Sequence, residues 1–258
     1  MHAVDTTILD FIGGRNKVCV IPPFQRNYEW SKVQCKELFD DIKAALEKGK
    51  NHYLGNIVYY CGKKNGSSFQ ELILVDGQQR ITTVLILLCA LRDTMTDEEK
   101  KSDVKQFLLN STSDDKYRMR LKQTSYDSET FVDLINKSIP KNPDNNIYRN
   151  YVNFITWIKN ESIKSEDFFN ALEKLQIVDV NLQIEDDLTA VQTVFEKINS
   201  TGTPLTAADL LRNYLLISDT VEEQEKLYKE YWTVIENNIK TENIPRFVKD
   251  YLVMKTYG

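Results

Sequence analysis

The sequence is poor in the residue types that most catalytic centres and covalent scaffolds need. It has only two histidines and four cysteines, the latter without paired spacing: His2, His52, Cys19, Cys35, Cys61 and Cys89. Two histidines are too few for histidine-based metal centres and for most catalytic triads. Scattered cysteines argue against a zinc ribbon or a disulfide framework and favour a reducing compartment. We therefore expect a cytoplasmic protein.

Long hydrophobic runs are also missing. The longest apolar run, residues 84–91, is far shorter than the roughly 20 residues that span a bilayer, and it predicts a buried helix. The first five residues lack the basic start and apolar centre of a signal peptide. The sequence therefore predicts no association with membranes.

The chain has no excess of positive charge. Its formal net charge is −5, which disfavours indiscriminate nucleic-acid binding, because neutralising phosphates needs dense lysine and arginine. Residues 116–122 alternate apolar Tyr117, Met119 and Leu121 with basic side chains, which predicts a strand with one buried and one basic face. The basic face is either simply solvated or a local nucleic-acid patch. It comprises Lys116, Arg118, Arg120 and Lys122.

The organisation along the chain predicts an α+β protein. The first ninety residues mix strand and helix patterns, and the part beyond residue 140 is mostly helical. We predict a soft boundary there, giving residues 1–140 as a mixed core and residues 141–258 as a helical region that completes the same module. The predicted strands are Val18–Ile21, Tyr53–Cys61, Glu71–Val75, 117–122 and Leu175–Leu182; the predicted early helices are Thr7–Gly14, a helix from a Ser31 cap to Glu47, and Gln78–Leu91.

The segment between an apolar strand pattern and an apolar helix pattern, residues 75–80, concentrates polar side chains. Asp76 ends the strand, the amides Gln78 and Gln79 follow, and Arg80 lies in the first helical turn. The free N–H groups of a helix start favour anions. This pattern predicts a phosphate or nucleotide site. The alternative is an Asp76–Arg80 pair that only joins the turn to the helix.

A second polar cluster covers residues 195–213. Thr206 and Asp209 match a capping box at the start of a helix that also carries Arg212 and Asn213 on a shared face. The cluster is either a helix–loop–helix corner or a polar face that lines a site.

A third cluster, residues 21–30, has two prolines followed by aromatic residues that alternate with polar ones. Prolines stiffen an extended segment, which could present Phe24, Tyr28 or Trp30 to a base, with Gln25 and Arg26 facing phosphate or base edges. The alternative is an extended segment whose aromatic rings fill the core.

These motifs occur in a characteristic order. Residues 21–30 precede Tyr53-Leu54-Gly55-Asn56-Ile57, then 75–80, then 195–202 and Asp209-Leu210-Leu211-Arg212-Asn213. The order resembles the N-terminal domain of GmrSD-type, modification-dependent restriction proteins of phage defence, shared with SspE-like phosphorothioate-sensing proteins. The resemblance runs from about residue 5 to residue 257.

The resemblance implies a ParB/sulfiredoxin-like core followed by a helical region. It also implies a nucleotide-handling role, with NTP hydrolysis among the family's activities, and an HNH-type nuclease domain that usually follows. No histidine-rich nuclease motif occurs in this sequence. We therefore expect that nuclease domain to be missing from this chain, and cleavage of DNA by this chain alone is not expected.

On this hypothesis the catalytic group is Asp76, Gln78, Gln79 and Arg80. Arg80 binds phosphate oxygens bidentately, Asp76 holds Mg²⁺ directly or through water, and Gln78 or Gln79 orients an attacking water. The remaining predicted nucleotide contacts are Gln25, Arg26, Tyr28, Trp30, Gly77, Asn199, Asp209, Arg212 and Asn213.

Two other functions remain open from the sequence. The domain could read modified DNA without hydrolysis, with the polar cleft binding a flipped base or the backbone; the aromatic segment and the basic residues Arg118, Arg120 and Lys122 favour this function. It could also be a structural interaction module in which Asp76 and Arg80 only pair with each other. Binding of modified DNA through a longer protein and a homo-oligomer are both compatible with the sequence.

Overall fold

The computed structural model describes residues 2–62, 66–161, 163–183, 193, 206–216 and 221–257. The chain divides into two compact units: unit 1 comprises Met1–Ile21 and Asn27–Gln183, and unit 2 comprises Pro22–Arg26 and Ile184–Gly258. The division follows Gln183, whereas the sequence suggested a soft boundary near residue 140. The later position arises because a strand at residues 175–182 completes the sheet of unit 1.

Unit 1 is built on a mixed sheet that has six strands among the described residues, in the order β1-β6-β3-β4-β2-β5. The β1–β6 and β3–β4 pairs are antiparallel, and the β6–β3, β4–β2 and β2–β5 pairs are parallel. The strands are β1 (His2–Thr7), β2 (Lys17–Val20), β3 (His52–Cys61), β4 (Gln70–Asp76), β5 (Leu121–Lys122) and β6 (Leu175–Leu182).

Helices pack around this sheet and share one apolar core with it. The α+β prediction is therefore confirmed. In unit 1 the helices are α1 (Ile8–Gly13), α2 (Lys32–Lys48), α3 (Gln78–Thr94), α4 (Glu98–Leu108), α5 (Asp115–Arg118), α6 (Ser125–Ile135), α7 (Asn146–Asn160) and α8 (Ser165–Leu172).

Local signals place α2 as predicted. The Ser31 hydroxyl accepts from the Val33 N–H, and the Gln34 side chain accepts from the Ser31 N–H, which makes a capping box. The helix ends at Gly49, whose φ of +64° is the left-handed conformation that glycine adopts without strain. The predicted cap at Ser31 is confirmed.

Helix α3 lies at the centre of unit 1. Every residue from Ile81 to Arg92 is at most 1% exposed, and the helix contacts α4, α6, α7 and α8. A helix that is apolar on all sides must be covered on all sides. The position of this buried helix determines where its polar first turn lies, next to the end of β4.

The predicted strand at residues 117–122 is largely wrong. Residues Asp115–Arg118 form the short helix α5, because the Asp114 carboxylate caps the Lys116 N–H at 2.9 Å. Such a local hydrogen bond competes with strand pairing. Within residues 117–122 only Leu121–Lys122 form a named strand, β5, which pairs with β2. Tyr117 and Leu121 are nevertheless buried, as the alternation predicted.

Unit 2 is helical in its described part. It contains α9 (Ala207–Leu216), α10 (Val221–Leu227), a π-helical turn (Tyr228–Trp232), α11 (Thr233–Asn238), a 3₁₀ turn (Thr241–Asn243) and α12 (Ile244–Tyr257). Its core includes Phe24, which is 1% exposed, together with Ala208, Leu216, Trp232 and Ile244. Across the described ranges no helix is both long and apolar enough to cross a bilayer.

Arg92, near the end of α3, is a charged side chain buried inside unit 1. It is 1% exposed, pairs with Asp93 at 2.9 Å and donates to the carbonyls of Leu134 (2.9 Å) and Ile135 (2.7 Å) at the end of α6. Arg92 thus donates hydrogen bonds at the end of α6, where the last carbonyls of a helix have no partner within it.

We expect Arg92→Ala to destabilise the chain by about 3–5 kcal/mol, because it removes the buried arginine partner of Asp93 and of the Leu134 and Ile135 carbonyls. The exposed Arg149, which pairs with Asp144 at 2.7 Å, is the matched control and should change stability by about 1 kcal/mol or less. Urea unfolding of both variants measures the difference. Equal losses for the two would contradict the role assigned to Arg92.

Candidate functional site

The polar motif of residues 76–80 lies where β4 passes into α3. Asp76 ends β4 opposite Val58 of β3, Gly77 is the N-cap residue, and α3 begins at Gln78 with no side-chain cap. The first N–H groups of a helix have no partner within it. The predicted strand–turn–helix junction is thus confirmed.

Only glycine fits at position 77. Its φ is +91°, and a β-carbon there would overlap Cδ1 of Ile57 and lie 3.0 Å from the Asn56 carbonyl oxygen. Ile57 is fully buried, so it has little room to move. The close approach of Gly77 to β3 therefore sets how tightly the motif packs on that strand.

Arg80 lies across β3. One terminal guanidinium nitrogen donates to the Asn56 carbonyl and lies 3.5 Å from Oδ2 of Asp76. Gly55, with φ of +117°, lies beneath the guanidinium: a β-carbon there would be 3.1 Å from Arg80 Cζ. The pairing of β3 with β6 shifts register between Tyr53 and Gly55, and such bulges commonly redirect side chains beside sites.

The predicted Asp76–Arg80 pair is thus present, but it is a long one. The side chains of Arg80 and Asp76 are 26% and 22% exposed. In the described part of the chain, Nε and the second terminal nitrogen of Arg80 have no hydrogen-bond partner. The guanidinium is therefore held in place and keeps donors for a ligand.

Tyr53 is a neighbour of this group that the sequence reasoning did not assign. It is 57% exposed, and its hydroxyl donates to Oδ1 of Asn56 at 2.5 Å. Residues 53–57 are one of the motifs that carry the family resemblance, and they point to this part of the chain. A single aromatic residue in a strand pattern, however, indicates no function by itself.

The side chain of Gln79 hydrogen-bonds to the backbone of residues 27–30. Its Oε1 accepts from the N–H groups of Glu29 (2.9 Å) and Trp30 (3.3 Å), and its Nε2 donates to the Asn27 carbonyl (3.0 Å). We call residues Asn27–Trp30 the strap. The Gln79 oxygen accepts twice and its NH₂ group donates once, each time to the strap backbone, which favours a positioning role; the catalytic role of Gln79 stays a prediction. The other amide, Gln78, is 4% exposed.

Tyr28 is not available to stack on a base. It is 5% exposed in the core, and its hydroxyl bonds with Oγ1 of Thr83 at 2.7 Å and Sγ of Cys35 at 3.3 Å. Burial raises the pKa of Tyr28 well above its ordinary value. Trp30 is half-buried and packs against the same core.

A buried carboxylate holds the other side of the strap. Asp127 accepts from the Tyr28 N–H at 2.6 Å and from Nδ2 of Asn145 at 3.0 Å. Burial raises the pKa of Asp127, opposed by those hydrogen bonds. Nδ2 of Asn150 also donates to the Trp30 carbonyl at 2.7 Å. The strap is therefore fixed on several sides.

In unit 2, the predicted face of α9 forms a structural network. The capping box is confirmed: the Thr206 N–H donates to Oδ2 of Asp209 at 3.0 Å, and the Asp209 N–H donates to Oγ1 of Thr206 at 3.1 Å. Arg212 is buried between Asp209 at 2.8 Å and Glu236 at 3.1 Å. Glu236 also accepts from Trp232 Nε1 at 2.7 Å. Most of the polarity of this face is satisfied internally.

Most of the other predicted nucleotide contacts are buried or half-buried. Gln25 and Asn213 are buried, and Arg26 is half-buried. Asn199 lies outside the described residues. The structure brings Asp76, Gly77, Gln78, Gln79 and Arg80 together in unit 1, and it places Gln25, Arg26, Asp209, Arg212 and Asn213 in unit 2.

The basic residues near β5 already have partners. Lys122 pairs with Glu71 at 2.7 Å, Arg120 donates to the carbonyls of Gly14 (2.5 Å) and Gln106 (3.1 Å), and Arg118 lies 4.0 Å from Asp115. Their role in nucleic-acid binding stays a prediction. Within the described ranges, no group of three or more histidine, cysteine or acidic side chains is arranged to hold a metal.

We expect Gly77→Ala to destabilise the chain by about 2–4 kcal/mol, because an alanine at this φ is strained and its β-carbon meets Ile57 and the Asn56 carbonyl. The control is Gly62→Ala, whose β-carbon would make only ordinary contacts of 3.5 Å. Thermal unfolding of both variants tests the constraint. A Gly77→Ala variant as stable as Gly62→Ala would show that the junction tolerates a side chain.

Comparison with known proteins adds the family. A family model described as the GmrSD restriction endonuclease, N-terminal domain, matches residues 8–216. The uncharacterized protein MJ0686 of Methanocaldococcus jannaschii is 25% identical over 270 residues, covering 89% of this chain and 43% of that protein. The chain thus spans less than half of the length of this relative. It belongs to the family of GmrSD restriction endonuclease N-terminal domains, which associates it with restriction systems.

Proposed function

We propose that this chain is a nucleotide-binding regulatory domain of a restriction system, with its phosphate site at the start of α3. The observation that carries the proposal is the arrangement of Arg80 beside a helix start without a side-chain cap. Backbone N–H groups and the helix dipole attract a negative ligand there. Arginine adds a planar set of donors that suits phosphate oxygens.

The surroundings of Arg80 favour phosphate over a purely structural pair. The contact with Asp76 is 3.5 Å long, which is weak for an ion pair, while the Asn56 carbonyl holds the guanidinium over Gly55. A held guanidinium loses little conformational freedom when a ligand binds. We therefore assign Arg80 to the phosphates.

Asp76 fits a magnesium ion that arrives with the nucleotide. Mg²⁺ is commonly bound by one or two carboxylates plus substrate phosphates and waters, and Asp76 is a partly exposed single carboxylate beside the proposed phosphate site. The ion would supply charge neutralisation of the phosphates. Asp76 is the residue that would hold it.

Tyr53 replaces Tyr28 as our candidate for the aromatic contact with the base. It is exposed, and its hydroxyl is fixed on Asn56, the residue whose carbonyl holds Arg80. Base stacking on an aromatic ring contributes about 1–3 kcal/mol. Hydrolysis of the nucleotide remains a prediction. Gln79, one of the two residues predicted to orient the attacking water, hydrogen-bonds to the strap instead.

The test is a thermal-shift and phosphate-release panel with ATP, GTP, CTP and UTP in Mg²⁺, on wild type and Arg80→Ala. We expect at least one nucleotide to raise the Tm of wild type, and Arg80→Ala to lose that shift by weakening binding roughly 10- to 100-fold. Phosphate release would add hydrolysis to binding.

Arg149→Ala, which removes an exposed arginine of the same unit, should retain the full shift. A panel in which no nucleotide stabilises a folded wild type would end the nucleotide proposal. Salt-dependent binding of modified DNA in the same samples would then select the alternative of a non-hydrolytic DNA reader. An Arg80→Ala variant that loses stability while its nucleotide affinity is unchanged would identify Asp76–Arg80 as a structural pair.

A further inference from the structure

The polypeptide changes from unit 2 to unit 1 at the peptide bond between Arg26 and Asn27. On the unit 2 side, Phe24 is 1% exposed in the core of that unit, and its carbonyl accepts from Nε of Arg212 at 3.3 Å. On the unit 1 side, the strap starts at Asn27. Two residues, Gln25 and Arg26, therefore separate an anchored position of one unit from an anchored position of the other.

One side chain of the motif holds the strap at three backbone groups. Gln79 binds the Asn27 carbonyl through its NH₂ group and the Glu29 and Trp30 N–H groups through its oxygen. A primary amide is suited to this, because it is both donor and acceptor. Gln79 precedes Arg80 in the first turn of α3.

We propose that Gln79 is a positioning residue that couples the start of α3 to unit 2 through the strap. A ligand that shifts the first turn of α3 shifts the backbone of Asn27 with it. From Phe24 to Asn27 the chain spans at most about 11 Å when fully extended, so a displacement of Asn27 is transmitted along the chain to Phe24. Binding of a ligand at the first turn of α3 thereby affects unit 2, which contains none of residues 76–80.

This inference rests on the proposed function only in taking a nucleotide as the ligand. The coupling itself rests on hydrogen bonds and chain connectivity, which exist without a ligand. Its test therefore has an arm without nucleotide and an arm with nucleotide.

The experiment is hydrogen exchange of the whole chain, read by mass spectrometry, on wild type and Gln79→Met. Methionine has a similar length and removes all three hydrogen bonds. Without nucleotide, we expect exchange to rise about tenfold in the strap, in residues 24–26 and in α9, because the restraint that orders them is lost.

Gln70→Met is the matched control. Nε2 of Gln70 also donates to backbone carbonyls of unit 1, those of Gly62 at 2.7 Å and Glu71 at 3.1 Å, but it does not contact the strap. This variant should leave exchange of residues 24–26 and α9 unchanged. Unchanged exchange of those segments in Gln79→Met as well, or a rise that extends equally to α7, would overturn the coupling.

The second arm adds the nucleotide that stabilises wild type, with Mg²⁺. We expect wild type to gain protection at residues 77–80, in the strap and in α9, and Gln79→Met to gain it at residues 77–80 alone. Equal protection of α9 in both proteins would overturn the proposal. If no nucleotide protects wild type anywhere, the proposed function fails, and the arm without nucleotide still decides the coupling.

Gln79→Glu keeps the proposal testable if Gln79→Met does not fold. A carboxylate keeps the acceptor for Glu29 and Trp30 but loses the donor to the Asn27 carbonyl. We expect a rise of about threefold in exchange of residues 24–26 from the loss of one hydrogen bond. Exchange equal to that of wild type would overturn the coupling.

Discussion

Burial of α3 from Ile81 to Arg92 is the constraint on which unit 1 depends. A helix that is apolar on every side has to be enclosed, and α4, α6, α7 and α8 pack around this one while the sheet contributes to the same core. Its charged side chains therefore lie at its two ends. Arg92 at one end satisfies the carbonyls of α6, and residues 76–80 lie at the other end, where the chain leaves β4.

The polar end of α3 serves three purposes at once. Gly77 permits the tight approach to β3, Gln79 fixes the strap, and Arg80 extends across Gly55 to the Asn56 carbonyl. A short motif can combine these because successive residues of a helical turn point in different directions. The motif therefore does more than form a candidate ligand site. Its Gln79 also fixes the strap, the chain segment that leads to unit 2.

The sequence predicts the elements with strong local signals. The strands β2, β3, β4 and β6 begin and end within one residue of their predicted bounds, and the caps at Ser31 and Thr206 lie where the capping pattern indicates. The edge strand β1 was missed, because its first four residues are exposed and it pairs with β6, which is remote in sequence. The strand predicted at residues 117–122 failed because one aspartate cap favours a helical turn.

The candidate site was predictable in its residues and less so in their roles. Composition and order identify Asp76, Gln79 and Arg80 as a polar junction, but only the tertiary structure shows which groups the Gln79 amide and the Arg80 guanidinium meet. Tyr28 and Tyr53 show the same limit: both are aromatic residues in polar motifs, yet the first is buried in the core and the second is exposed. Burial of a single ring depends on contacts that are distant in sequence.

The most direct measurement of the central claim is a crystal structure of this chain with a non-hydrolysable nucleoside triphosphate and Mg²⁺. Our account predicts phosphate oxygens on the N–H groups at the start of α3 and on the Arg80 guanidinium, with Asp76 facing the metal. A nucleotide bound elsewhere, or a start of α3 left empty at saturating nucleotide, would contradict the account.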